Sequence, residues 1–192
     1  MKQHQWLAWI LCALLGACAS QPKEGPRIKM DGFSIAAPKE KDWIVAKRSP
    51  VVTVIGKAGL FAGETFTVQA TVIKLPPSGS TNELVRHVES AQRQELDPKR
   101  YKIFKLEVSQ QAFQGQDCAL SQVEAAERTT TAGTSSPVNT MLETLTLVCP
   151  HPKDPSRGIN LAYSHRHFPE DVDPEFSQNA AMLMQSLAFE PL

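Results

Sequence analysis

The residues best placed to do chemistry are the histidines near the C-terminus. His165 and His167 are separated by a single residue, Arg166, within a stretch of strand-forming residues. Alternate side chains of a strand leave on the same face, so the two imidazoles stand side by side. That spacing can chelate a transition metal. His151, near the end of the preceding strand-forming segment, is the natural third ligand. A metal-binding protein or hydrolase using His151, His165 and His167 is therefore one reading. The plainer alternative is three exposed histidines near strand ends. The run Cys149-Pro-His-Pro-Lys-Asp-Pro155 is first of all a rigid loop. No Gly-x-Ser-x-Gly, no glycine-rich phosphate loop and no His-Glu-x-x-His occurs, and no cofactor motif is found. Carboxylates are scattered, with no pair spaced for acid–base work, so the expectation is a protein that is not an enzyme.

The N-terminus carries a different kind of signal. Lys2 is followed by the apolar stretch Trp6 to Leu15, by the small residues Gly16 and Ala17, and by Cys18. Charge, a short apolar core and small residues, in that order, make a secretory signal peptide. The ending Leu15-Gly16-Ala17-Cys18 resembles the lipobox of bacterial lipoproteins. The resemblance implies cleavage before Cys18 and acylation of its thiol and new amino group. One acyl chain gives marginal membrane binding, whereas two or more anchor stably. Ala19 stands where many inner-membrane lipoproteins carry Asp, which implies an outer-membrane anchor facing the periplasm. The alternative is an ordinary signal peptide cut near Ala17 or Ala19. Residues 18–30 are polar with two prolines and read as the lipidated cysteine and a tether. About 12 such residues reach roughly 20 Å. Residues 31–192 form the predicted globular domain.

Cys12 leaves with the signal peptide and Cys18 is taken by lipid, so Cys118 and Cys149 remain. Exported proteins face an oxidising compartment in which paired thiols persist as disulfides. If 116–127 and 140–149 form a hairpin, pairing Cys118 with Cys149 centres its loop on Gly133-Thr134. The same register sets Leu120 opposite Leu147 and, unfavourably, Glu124 opposite Glu143. The rival reading is a catalytic thiol at Cys118 beside Asp117.

Positioning these residues requires strands and two helices. Strands are predicted at 33–35, 43–47, 51–57 and 65–75. In the last of these Phe66, Val68, Ala70 and Val72 share one face, with Thr65, Thr67, Gln69 and Thr71 on the other. A helix follows Ser80, which has capping-box spacing to Glu83, with Leu84, Val88, Ala91 and Leu96 as its apolar stripe. Four more strands are predicted at 101–113, 116–127, 140–149 and 159–167. Asp173-Pro174 opens a last helix, with Phe176, Ala180, Leu183, Met184 and Leu187 on its buried face, before a short strand at Ala188-Phe189. This order predicts a single-domain α+β fold, an antiparallel β-sheet with two main helices packed on it. Phe33-Ser-Ile-Ala-Ala-Pro38 with Trp43, the helix after Ser80 and the closing 176–189 helix-strand are similar to the PsbP-like fold family. That resemblance implies a binding or assembly module.

Composition narrows the classes further. The chain has 192 residues, with 20 Lys+Arg against 20 Asp+Glu. Removal of residues 1–17 from the 192 leaves 175 and takes away Lys2, so 19 basic residues face 20 acidic ones, a net of −1. Balanced charge argues against nucleic acid as a partner. No apolar run approaches the roughly 18 residues of a spanning helix. The reading is an outer-membrane-anchored periplasmic accessory module with an envelope protein partner. Its working surface is expected on a sheet face or in the loops 128–139 and 150–157.

Overall fold

A computed structural model of the chain describes residues 26–38, 41–76, 80–129 and 138–192. The predicted signal peptide, Cys18 and the Gly133-Thr134 hairpin centre lie outside the described residues. The elements run β1 (Arg27–Met30), β2 (Phe33–Ala36), β3 (Ile44–Arg48), β4 (Val52–Ala58) and β5 (Thr65–Lys74). Then come α1 (Thr81–Glu95), β6 (Tyr101–Phe113), β7 (Gln116–Thr129), β8 (Val138–His151) and β9 (Asp154–His167). The chain closes with α2 (Phe176–Gln185) and β10 (Ala188–Phe189). A seven-stranded sheet has the order β3-β4-β5-β9-β8-β7-β6, and a three-stranded one the order β1-β2-β10. Every pairing is antiparallel. The predicted α+β class therefore holds, with the strands divided between two sheets.

Sequence reading and structure part at the first strand. Residues 27–30, assigned to the tether, form β1 and bury Ile28 and Met30 beside Phe33 and Ile35. The period-two pattern Arg-Ile-Lys-Met spans too few residues to stand out beside two prolines. What makes it a strand is the turn at Asp31-Gly32, where Gly32 has φ +81° and folds β1 back on β2.

Each face of the large sheet has its own cover. On one face Val68, Ala70, Leu147, Cys149, Ile159, Leu161 and Tyr163 pack under the small sheet and the buried stripe of α2. The stripe is the predicted one: Phe176, Ala180, Leu183, Met184 and Leu187 are all buried. On the opposite face Leu84 and Val88 of α1 cover Ala119, Val148 and Leu75, while Leu96 covers Val123 and Ala125. The Ser80 half of the predicted capping box is not made. Ser80 is the N-cap of α1 but its side chain forms no capping bond. Neighbouring Thr81 instead donates from Oγ1 to Asp117 on β7, at 2.7 Å. The helix start is thereby tied to the sheet it covers. Helix α2 begins two residues beyond its predicted proline, because Asp173 Oδ1 accepts the Glu175 N–H at 2.9 Å and forms a turn first. Near the exit of α1 the buried carboxylate of Glu127 pairs with both Arg100 and Arg166.

Cys118 and Cys149 form a disulfide, and the β7–β8 register sets Leu120 opposite Leu147 and Glu124 opposite Glu143 as their spacing required. Both cysteines are buried in the core under the small sheet. Bonded to each other, neither thiol is available as a nucleophile.

Candidate functional site

Strand β9 lies in the middle of the large sheet, and its odd-numbered residues face the core. Ile159, Leu161 and Tyr163 are ordinary core residues. The same alternation then delivers His165 and His167 to the same face, both buried. Their rings stack with centroids 4.4 Å apart at 16°. Phe66, opposite His165 on β5, stacks on its other side at 4.1 Å and 5°. Glu143, opposite His165 on β8, completes the cluster. One donor atom from each of Glu143, His165 and His167 lies within 4.8 Å of the others.

Two hydrogen bonds fix how the imidazoles present themselves. His165 Nε2 lies 2.8 Å from Glu64 Oε1. Burial opposes ionisation of Glu64, but hydrogen bonds from His165, Phe61 and Leu60 outweigh it and hold the carboxyl below the ordinary value of 4.5. An ionised Glu64 only accepts, so Nε2 of His165 carries a proton, and in the neutral ring Nδ1 holds the lone pair. His167 Nδ1 lies 2.6 Å from the Phe168 carbonyl oxygen, another pure acceptor. In the neutral ring its Nε2 holds the lone pair. Neither His165 Nδ1 nor His167 Nε2 has a hydrogen-bond partner among the described residues. His167 Nε2 is 3.8 Å from Glu143 Oε2.

Glu64 also organises the β4–β5 loop. Its Oε2 accepts the N–H of Leu60 at 2.7 Å and of Phe61 at 3.3 Å. Gly59 is required here, because a Cβ at that position would collide with the Glu64 carboxylate. The loop turned by this clamp presents Leu60, 95% exposed, and half-exposed Phe61.

His151 does not join the cluster. The antiparallel register pairs it with Asp154, eleven residues along β9 from His165. At about 3.3 Å per residue the separation is roughly 36 Å. Both its ring nitrogens are committed: Nε2 donates to the Glu190 carbonyl at 3.0 Å, and Nδ1 accepts the Lys153 N–H at 3.2 Å. Phe33 and Phe189 meet the ring edge-on. His151 is thus a clasp for the C-terminal segment, and the predicted histidine trio is corrected to a pair joined by a carboxylate. Sequence reasoning missed Glu64 and Glu143 as members of the site. The Cys118–Cys149 register already placed Glu143 opposite Glu124, whereas nothing in the sequence singled out Glu64.

The remaining conspicuous surface is the sheet edge. All five residues of β3 are exposed, and among the described residues it has β4 on one side only. Ile44 is 71% exposed and Val45 51%.

No protein-family model and no curated protein matches the chain. Among solved structures it is similar to cyanobacterial PsbP (CyanoP) from Synechocystis sp. PCC 6803, at 14% identity and a TM-score of 0.49. That match covers 92% of this chain and 99% of the other. A Bacteroides thetaiotaomicron VPI-5482 protein matches at 12% identity and TM-score 0.45, over 88% of this chain and 49% of its own. The lipid transfer and protein localization domain of human StarD13 matches at 10% identity and TM-score 0.37, over 77% and 86%. All three TM-scores fall below 0.5, so these likenesses concern the outline of the fold and not a site or a ligand.

Proposed function

We propose that this protein is a lipid-anchored accessory module of the bacterial envelope, held at the outer membrane through Cys18 and facing the periplasm. In this reading it docks a partner protein along the β3 edge. The observation that carries the docking role is the edge itself. Edge strands are normally blunted by charge, bulges or cover, because their free N–H and C=O groups template association. A register shift between Val45 and Lys47, with Lys47 and Arg48 beyond it, blunts the far half of β3, whereas Ile44 and Val45 before it stand exposed beside a backbone with no second neighbour among the described residues. Addition of a partner strand there would bury both side chains and satisfy the free backbone groups. Support for export comes from the buried Cys118–Cys149 disulfide, a bond that persists in oxidising compartments. Support for the anchor comes from the Leu15-Gly16-Ala17-Cys18 sequence.

The test is to express the full chain in a bacterial envelope with a photo-crosslinking residue at position 44, and separately at Gln94 on the outer side of α1. A discrete protein adduct from position 44 and none from position 94 is expected. Palmitate labelling should mark the wild type and be lost in Cys18→Ser. Equal adducts from both positions, or none, would overturn the docking role, and labelling that survives Cys18→Ser would overturn the anchor.

A further inference from the structure

We propose that His165 Nδ1, His167 Nε2 and the Glu143 carboxylate form a binding site for one divalent transition ion of the zinc type. The inference is independent of how the protein is anchored or what it docks. It starts from the two ring nitrogens that carry lone pairs, lie buried and have no hydrogen-bond partner among the described residues. Buried polar atoms are ordinarily paired, and two orphans on neighbouring rings beside a carboxylate are candidate ligands for a Lewis acid. An ordinary buried histidine has both nitrogens committed, as His151 does at the far end of the same strand pair.

The outer arrangement is the one metal-bound imidazoles use. A ligating histidine donates its other N–H to a carboxylate or a backbone carbonyl, which fixes its tautomer. His165 makes that bond to Glu64, and His167 to the Phe168 carbonyl. Charge points the same way. Glu143 stands directly opposite Glu124 on β7, an unfavourable like-charge pair, with Lys105 Nζ 4.0 Å from Glu124 as its partial counterweight. A cation beside Glu143 relieves that repulsion.

Donor type and spacing select the ion. Two imidazoles and one carboxylate suit a borderline ion such as Zn²⁺, with a fourth position left for water or an outside ligand. Ligands around tetrahedral zinc stand about 3.4 Å apart, given metal–ligand bonds of about 2.0–2.1 Å. One donor atom from each of the three residues lies within 4.8 Å of the others, and His167 Nε2 and Glu143 Oε2 are already at 3.8 Å. The rings stack at 16°, so binding one ion requires them to turn out of the stack until both in-plane lone pairs and a Glu143 oxygen meet it. Glu143 is partly exposed, which gives the ion an entry route and the fourth position contact with solvent.

The experiment uses the disulfide-bonded, tag-free protein and Zn²⁺ alone in isothermal titration, with Co²⁺ absorption as a readout of coordination. One zinc per chain is expected, with four-coordinate Co²⁺ bands. Binding should weaken on acidification, because protons compete with the metal for the ligand imidazoles. Glu143→Gln and His167→Gln, checked for native circular dichroism, should each weaken binding by about 30-fold or more, as loss of one of three ligands would. His87→Ala, which removes an exposed histidine of α1, should leave it unchanged. No heat with zinc, no four-coordinate cobalt spectrum, wild-type affinity in both site variants, or loss of binding in His87→Ala would each overturn the proposal.

Discussion

Breaking the Cys118–Cys149 bond gives the cleanest measure of how this fold is held. The cysteines are 31 residues apart in sequence and sit on adjacent, directly paired strands. The sheet already holds β7 against β8, so the bond adds little new constraint to the native state. Its contribution falls on the unfolded chain, whose freedom it cuts by closing a loop. For a loop of about 30 residues the chain-entropy model gives roughly 3.5–4 kcal/mol at 25 °C. A domain of this size loses about 2–4 °C of Tm per kcal/mol, so the expected fall is roughly 8–15 °C. Both sulfurs are buried, so the bond is best reduced in the unfolded protein, which is then refolded under reductant. Urea unfolding of oxidised and reduced wild type, and of Cys118→Ala/Cys149→Ala, separates the effects. Reduced wild type should lose nearly the full amount, and its m-value should rise because the released unfolded chain exposes more surface. The alanine pair should lose slightly more, through the deleted sulfur volume. A loss under about 1 kcal/mol on reduction would refute the entropic account. So would an alanine pair far less stable than reduced wild type, since the sulfurs would then act chiefly by packing.

Two further outcomes follow from the geometry. Glu64 has its folded-state pKa lowered, so its clamp on His165 and the β4–β5 loop is fully present above the ordinary value of 4.5 and is lost as pH falls below it. The stability gap between wild type and Glu64→Gln, measured by urea unfolding, should therefore be widest near neutrality and close as pH falls below about 4.5; a gap unchanged on acidification would contradict the assignment. A Cβ at Gly158 would meet Leu75 Cδ1 at 2.6 Å and the Cys149 carbonyl oxygen at 3.1 Å. Gly158→Ala should thus cost about 1–3 kcal/mol of unfolding free energy in the wild type and less when introduced into a Leu75→Ala background, whereas an unchanged urea midpoint would show that the strand shifts freely.

Period and parity made most of the architecture legible. Thr65–Lys74 alternates over ten residues and α2 repeats its apolar positions over three turns, long enough for local pattern to outweigh noise. The cysteine register succeeded because a disulfide between neighbouring strands fixes which residues oppose. Shorter and longer scales failed for physical reasons. β1 has two inward residues, and only its turn and its pairing with β2 make them core. His151 looked adjacent to His165 because sequence proximity is not spatial proximity across a hairpin: residues nearest the turn pair together, and His165 lies at the far end. Ser80 has the residue type of a helix cap, yet its neighbour Thr81 found a partner on another strand.

Glu64 shows why the site could not be read from its ligands alone. Its two carboxylate oxygens are divided: Oε1 takes the His165 proton, and Oε2 takes the N–H groups of Leu60 and Phe61. The tautomer of His165, and hence the availability of Nδ1, is tied to the fold of a loop that shows no chemistry in its own sequence. The dependence runs both ways. A change that opened the Gly59–Gly63 loop would free Glu64 to turn toward water and release the ring, while a change at His165 would leave the buried carboxylate with backbone donors only. Three histidines of one type thus differ by what their second nitrogen is doing, and that is decided by register and by a loop carboxylate. His151 spends both nitrogens on holding the C-terminal segment. His165 and His167 spend one each on fixing their tautomers, and the remaining pair lies without a hydrogen-bond partner among the described residues, beside Glu143.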